Sequence, residues 1–115
     1  MHYTGDWTAT DSKNKKWNGR VTDAILDFPA RRIRVEYHDN GWDGAAKGTI
    51  STDGGEVAVR WMETSGKGME LQGSARLKIV FHGDGRFTLE GPWDLAKPVD
   101  GGNWLIELRP TVEVR

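Results

Sequence analysis

Residues 69–82, MELQGSARLKIVFH, constrain the fold more than any other segment, because apolar or small residues alternate with residues that are polar except for Val80. This period of two predicts a β-strand with one face in a core and the other in water. Strands in open sheets usually run to about 5–6 residues, so a segment of this length favours a coiled strand in a barrel wall. Gly73 and Ala75 remove side-chain bulk at its centre, where curvature or an interior cavity would need room.

Other segments show strand-like patterns and are joined mostly by short loops. They are residues 2–10, 19–28, 31–38, 47–52, 56–63, 86–95 and 104–109, with 111–114 continuing the last one past Pro110. The segment 19–28 fits a period of two imperfectly, so a short helix is the alternative there. About eight antiparallel strands in sequence order can close on themselves, which removes exposed edges. The sequence therefore predicts an all-β protein, an antiparallel up-and-down β-barrel.

Size and composition exclude several classes of protein. The chain has 115 residues, which predicts one barrel domain spanning residues 1–115. It has no cysteine, so disulfides and thiolate sites are excluded, and a net charge of −1 with interspersed signs predicts no nucleic-acid binding. No apolar stretch approaches the roughly 20 residues that would span a bilayer, so we expect a soluble protein without a membrane partner. The first ten residues lack a secretory signal pattern, and the default expectation is a cytoplasmic location.

Six tryptophans in so short a chain are the main compositional anomaly. Four of them, Trp7, Trp61, Trp93 and Trp104, fall on the predicted inward faces of strands. Together with Tyr37 they predict either a solid aromatic core or the apolar walls of a pocket for a small molecule. At the mouth of such a pocket, we expect Arg60 or Glu63 to orient a polar group of the ligand.

Trp17 and Trp42 fall in predicted polar loops and are candidates for surface interaction. Exposed indoles stack on sugar faces or anchor partner proteins, while the alternative is that both rings fold back and plug the barrel mouth. Val80 and Leu105 are apolar residues on otherwise polar faces. These features leave two alternatives open: a filled barrel that assembles into homo-oligomers or binds another protein, and a barrel that binds glycans.

No catalytic or metal-binding residues stand out in the sequence. The three histidines, His2, His38 and His82, lie in distant segments, and none belongs to a nucleophile motif such as G-x-S-x-G. We therefore predict no metal and no cofactor. The sequence does not decide whether the protein is an enzyme, but it favours a non-enzymatic binding protein.

Several short motifs resemble the avidin/streptavidin family of biotin-binding barrels and, more broadly, the calycins. Gly5-Asp6-Trp7-Thr8 resembles the family's opening G-x-W motif. Val57-Ala58-Val59-Arg60-Trp61 followed by Leu71-Gln72-Gly73 is similar to its central strands, and Thr88 to Leu95 followed by Asn103-Trp104 is similar to its closing pair. The resemblance implies an eight-stranded barrel with a ligand inside.

The polar residues that hold biotin in that family do not carry over to this chain. Ala9 and Asp11 stand where the family pattern has an Asn and an apolar residue, and Val112 lies about where the last strand supplies an Asn or Asp. A site without its hydrogen-bond partners loses affinity steeply. The resemblance therefore implies the barrel and a ligand other than biotin.

Overall fold

The computed structural model describes residues 2–96 and 99–111, and every regular element in them is a β-strand. The strands are β1 (His2–Thr10), β2 (Lys16–Asp27), β3 (Arg32–Asp39), β4 (Trp42–Ile50), β5 (Glu56–Ser65), β6 (Glu70–Phe81), β7 (Phe87–Ala96) and β8 (Val99–Pro110). Each strand pairs antiparallel with the next, and β8 pairs with β1 to close the barrel. The predicted up-and-down barrel of eight strands is confirmed. Within the described residues, no helix has the length and apolar character needed to cross a bilayer.

Two predicted loops are shorter in the structure, because the strands that flank them extend further. The stretch between the predicted strands 31–38 and 47–52 contracts to a turn at Asn40 and Gly41, where Gly41 adopts a φ of +86°. Strand β8 already begins at Val99, whereas the predicted strand begins at residue 104. At the other end of β8, Thr111 lies outside the strand. The rest of the predicted continuation, residues 112–114, falls outside the described residues.

The pairing of strand β2 explains why the sequence of residues 19–28 fits a period of two imperfectly. The pairing with β3 shifts register between Val21 and Asp23, which is the mark of a β-bulge. One extra residue in one strand reverses the alternation that follows it. Val21 and Ala24 are therefore both buried although they are three positions apart. The segment is a strand, and the alternative of a short helix is wrong.

The barrel interior is filled by aliphatic side chains over much of its length. The largest fully buried ones are Ile50, Leu77, Leu89, Ile106, Leu108, Val35 and Val57. In the long strand β6, the predicted inward face is buried at Ala75 and Leu77, whereas Phe81 at its end is 62% exposed. The alternation therefore describes the centre of the strand better than its ends.

The two ends of the barrel differ in how they are closed. At the end where β1 begins, which we call the closed end, four aromatic rings pack together: Tyr3, Phe28, Phe81 and Phe87. Their centroids lie 5.1–5.7 Å apart in the three contacts with the Phe87 ring. The opposite end, where β1 ends and β2 begins, is called the mouth. All six tryptophans line a cavity there.

Candidate functional site

Five aromatic residues of the barrel interior each lie directly opposite a glycine on a neighbouring strand. The pairs are Trp7–Gly19, Tyr37–Gly44, Trp61–Gly73, Trp93–Gly102 and Trp104–Gly91. A Cβ added at Gly19, Gly44 or Gly73 would come within 2.4–2.6 Å of the aromatic ring of its partner. These three rings therefore lie over glycine, where any larger residue would collide with them.

The interior rings contact one another edge to face, which suits the quadrupoles of aromatic systems. Trp7, Tyr37 and Trp104 form one group with centroids 5.2–6.5 Å apart, and Trp61 and Trp93 form a second at 6.0 Å. Two groups of this kind hold their members in fixed orientations, because moving one ring disturbs the others.

Three of the four interior indoles are also held by hydrogen bonds to backbone carbonyls. The Nε1 atoms of Trp7, Trp61 and Trp93 donate to the carbonyl oxygens of His38, Ser74 and Thr10 at 3.3, 3.2 and 3.0 Å. The fourth, Trp104, is only 4% exposed, and its Nε1 has no hydrogen-bond partner. A buried indole N–H normally finds an acceptor, so Trp104 is left with an unused donor.

The cavity at the mouth has a volume of about 190 Å³. Its walls include all six tryptophans: Trp7, Trp17, Trp42, Trp61, Trp93 and Trp104. Ala9, Leu71 and Leu95 complete the apolar part of the lining. Trp17 and Trp42, the two candidates for surface interaction, therefore contribute to the same cavity as the interior rings, although Trp17 remains 40% exposed.

Every charged residue among the described residues that line the cavity is acidic: Asp11, Asp39, Glu63 and Asp100. Two of these carboxylates already accept hydrogen bonds from residues of the loop between β1 and β2. Asp11 Oδ1 accepts from the backbone amides of Lys13 and Lys15, both at 2.9 Å. Asp100 Oδ1 accepts from the amide and hydroxyl of Ser12 and from the amide of Gly101. The hydrogen bonds from Ser12 lower the pKa of Asp100.

Glu63 and Asp39 lie deeper and have fewer hydrogen bonds. The Tyr37 hydroxyl donates to Glu63 Oε2 at 2.8 Å, and Asp39 Oδ1 is buried with no hydrogen-bond partner. Burial raises the pKa of Glu63, the charge on Asp39 raises it further, and the hydrogen bond from Tyr37 opposes both effects. Burial also raises the pKa of Asp39, against the opposing charge of His38. Burial and the adjacent Glu63 raise the pKa of Tyr37.

The structure brings most of the predicted ligand-binding residues together. Trp7, Trp61, Trp93, Trp104 and Glu63 line the cavity. Tyr37 lies behind them, in contact with the rings of Trp7 and Trp104 and hydrogen-bonded to Glu63.

Arg60 is not brought to the mouth. It is exposed on the outer face of β5, directly opposite Lys47. Successive side chains of a strand point to opposite faces, so the burial of Trp61 places Arg60 outside. The expectation that Arg60 orients a ligand from the mouth is corrected by this geometry, whereas Glu63 lies two residues beyond Trp61 on the inward side.

Sequence reasoning missed Asp11, Asp39 and Asp100 as lining residues. A signal was present in each case, because each acid continues the inward alternation of its strand toward the mouth. Asp39, for example, follows Val35 and Tyr37 at intervals of two. Within the described residues, no three histidine, aspartate or glutamate side chains converge closely enough to hold a metal ion.

The architecture around this site is a closed eight-stranded antiparallel barrel, which is compatible with an avidin-like or calycin-like fold. We compared the chain with protein-family models, with curated proteins and with solved structures, and none of the three comparisons finds a match.

Proposed function

We propose that this protein is a non-enzymatic binding protein that holds a small molecule in the tryptophan-lined cavity at the barrel mouth. The observation that carries the proposal is the cavity itself, whose lining contains all six tryptophans of the chain. Ligand sites are typically concave, mostly apolar and equipped with a few polar groups that orient the ligand. Here the indoles and aliphatic side chains form the apolar part, and Glu63 and Asp39 supply the polar groups.

The contrast between the two ends of the barrel supports this proposal. The closed end is packed with phenylalanine and tyrosine rings, and the centre with aliphatic side chains. A barrel of eight strands has room for either filling or one small ligand. The cavity lies at the end where interior rings pack against the wall over glycines, as Trp61 does over Gly73.

The cavity volume limits the size of the ligand. Pockets for drug-sized molecules usually measure about 300–1,000 Å³, and this one measures about 190 Å³. A compact metabolite fits that volume better than a large cofactor. The lining contains carboxylates but, among the described residues, no serine, histidine or lysine.

The likeness to the avidin/streptavidin family belongs to the same proposal. It rests on the quoted motifs around Trp7, Trp61, Trp93 and Trp104 and on the shared barrel architecture. Ala9 gives the cavity an apolar surface at a position where that family has an Asn. We therefore propose interior binding of the same general kind, with a ligand other than biotin.

The two other functions suggested by the sequence, assembly with a partner and glycan binding, both drew on Trp17 and Trp42 as surface residues. Both rings line the cavity in the structure. A ligand inside the mouth would contact them as well, so the interior site accounts for these two tryptophans without a separate surface.

Tryptophan fluorescence is the direct test, because every indole of the protein lines the cavity. We expect at least one compound of a panel of compact metabolites to shift the emission in a saturable way. Ala9→Met extends a longer side chain into the cavity and should abolish the shift. Ala58→Met makes the same change on the exposed face of β5 and should leave it intact.

The proposal fails if no compound of the panel shifts the emission. It also fails if Ala9→Met retains a shift of the same size and midpoint as the unsubstituted protein. Circular dichroism of both variants establishes that they are folded before either result is interpreted.

A further inference from the structure

The polar part of the cavity has a single sign of charge. Four carboxylates line it, and none of its described lining residues is basic. The apolar part consists mainly of indole rings, whose faces carry the negative end of an aromatic quadrupole and attract cations. The acidic groups and the aromatic walls therefore favour the same kind of ligand.

Two of the four carboxylates are free to meet that ligand. Asp11 and Asp100 hold the β1–β2 loop through hydrogen bonds to backbone amides. Asp39 Oδ1 is buried without a partner, and Glu63 accepts one hydrogen bond from Tyr37. Carboxylates that are partly withdrawn from water gain from a counter-charge, so a positive charge beside Asp39 and Glu63 would stabilise both.

One tryptophan of the cavity lining already contacts a cation of the chain itself. The ammonium nitrogen of Lys15 lies 4.3 Å from the centroid of the Trp17 ring. Contacts of this type form when a cation lies within about 6 Å of a ring centroid. The geometry shows that an indole of this cavity accepts an ammonium group supplied by the chain itself.

Trp104 supplies a hydrogen-bond donor, whereas the carboxylates of the cavity are acceptors. Its Nε1 is a buried donor without an acceptor, and its ring lines the cavity beside Trp7. A ligand oxygen would satisfy this N–H after a small shift of the surrounding side chains. Two residues that line the cavity thus each have a buried polar atom without a partner, the acceptor Asp39 Oδ1 and the donor Trp104 Nε1.

We propose that the ligand is a small organic cation, an ammonium or guanidinium compound, whose charge lies against Asp39, Glu63 and the indole rings, and that a cation carrying an oxygen also accepts from Trp104. This inference rests on the proposed function, since it names the chemical class of the molecule bound in the same cavity. Methylated ammonium groups fit it well, because aromatic cages recognise them without needing hydrogen bonds from every side.

Calorimetric titration with matched compounds tests the charge directly. The cations are tetramethylammonium, choline, butylammonium and guanidinium chloride. 3,3-Dimethyl-1-butanol is the neutral carbon analogue of choline, and 3,3-dimethylbutanoate is an anion of similar shape. We expect at least one cation to bind, and we expect the neutral analogue to bind roughly tenfold more weakly or worse, as the loss of a charge-assisted contact implies.

Variants of the two free carboxylates locate the bound charge. Glu63→Gln keeps an acceptor for the Tyr37 hydroxyl but removes the charge, and Asp39→Asn does the same at the second position. Each should weaken binding of the cation by roughly tenfold. Glu56→Gln and Asp43→Asn make the same chemical changes at exposed positions and should bind like the unsubstituted protein.

The possible outcomes separate this inference from the function on which it rests. Equal binding of choline and 3,3-dimethyl-1-butanol, or binding of a neutral or anionic compound alone, overturns the cationic class and leaves small-molecule binding intact. Calcium or magnesium chloride that binds at Glu63 while no organic cation does would also overturn it. If no organic compound in either panel binds, both the class and the proposed function fall.

Discussion

Trp61 on β5 lies directly opposite Gly73 on β6, and a Cβ at Gly73 would come within 2.6 Å of the indole ring. The same Cβ would lie 1.9 Å from the backbone oxygen of Asp94 on β7. The indole is thus placed against the wall at a position that only glycine permits. The wall of the cavity depends on glycines of neighbouring strands as much as on the tryptophans themselves.

Gly73→Ala should destabilise the barrel. The added methyl group collides with a backbone atom, which cannot move aside as the end of a flexible side chain would. We expect a loss of about 1–3 kcal/mol in the free energy of unfolding, the usual cost of overpacking, measured by urea denaturation. Gly66→Ala is the control, because a Cβ there meets nothing within 4 Å. An equal effect of the two substitutions would contradict the role of Gly73.

The stability of the protein should depend on the protonation of Glu63. Its pKa is raised above the ordinary 4.5, chiefly by burial and further by Asp39, while Tyr37 opposes the shift. The folded state therefore takes up the proton at a higher pH than the unfolded state does. As pH falls from neutral toward 4.5, this group adds stability, and the gain is lost as pH rises again through the raised pKa.

Glu63→Gln removes this group from the titration. We expect the variant to be more stable than the unsubstituted protein at neutral pH, because a partly buried negative charge beside Asp39 has been deleted. The difference between the two proteins should shrink as pH falls toward 4.5. Denaturation at a series of pH values measures this difference in unfolding free energy. A difference that grows on acidification would show that the direction given for the pKa shift of Glu63 is wrong. Burial also raises the pKa of Asp39, against the opposing charge of His38. Protonation of Asp39 therefore affects the stability of both proteins in the same direction as pH falls.

A row of basic residues crosses the outer face of the barrel. Arg34, Lys47 and Arg60 lie directly opposite one another on β3, β4 and β5. Like charges in directly opposite positions destabilise a sheet, by about 0.2–1 kcal/mol per pair. Lys47→Glu replaces two repulsions by attractions. We therefore expect the free energy of unfolding to rise by about 0.5–1 kcal/mol at low ionic strength, and this gain should decline as salt is added.

The matched control for this substitution lies on β6. Lys78 is opposite Glu56 on one side and Glu90 on the other. Lys78→Glu should therefore destabilise the protein by a similar amount. If both substitutions change the unfolding free energy in the same direction, the effect does not come from the cross-strand charges.

The centre of each strand could be predicted from the sequence, because burial there depends on side-chain alternation alone. Ile33, Val35 and Tyr37 on β3 are buried as their spacing indicated. The same rule applied to Trp61 would have placed its neighbour Arg60 outside. The bulge near Val21 interrupts the rule, and nothing in the local composition marks where the extra residue is accommodated.

The mouth of the barrel was harder to predict, because its structure depends on contacts between distant parts of the chain. The hydrogen bonds from Ser12 to Asp100 join residues 88 positions apart. Trp17 and Trp42 lie in polar stretches that resemble loops, yet both belong to strands and line the cavity. The unpartnered state of Asp39 likewise follows from three-dimensional packing and has no signature in the sequence.

The indole N–H signals of the six tryptophans provide the most direct test of binding inside the mouth, because each ring lines the cavity. The measurement is a nitrogen–proton correlation spectrum recorded during titration with the tightest-binding compound of the panels that carries an oxygen. We expect the Trp104 signal to move furthest, since its N–H gains the acceptor that it lacks in the free protein. Indole signals that stay in place while amide signals of the outer face, such as those of Lys47 and Val80, move with the titration would contradict binding in the cavity.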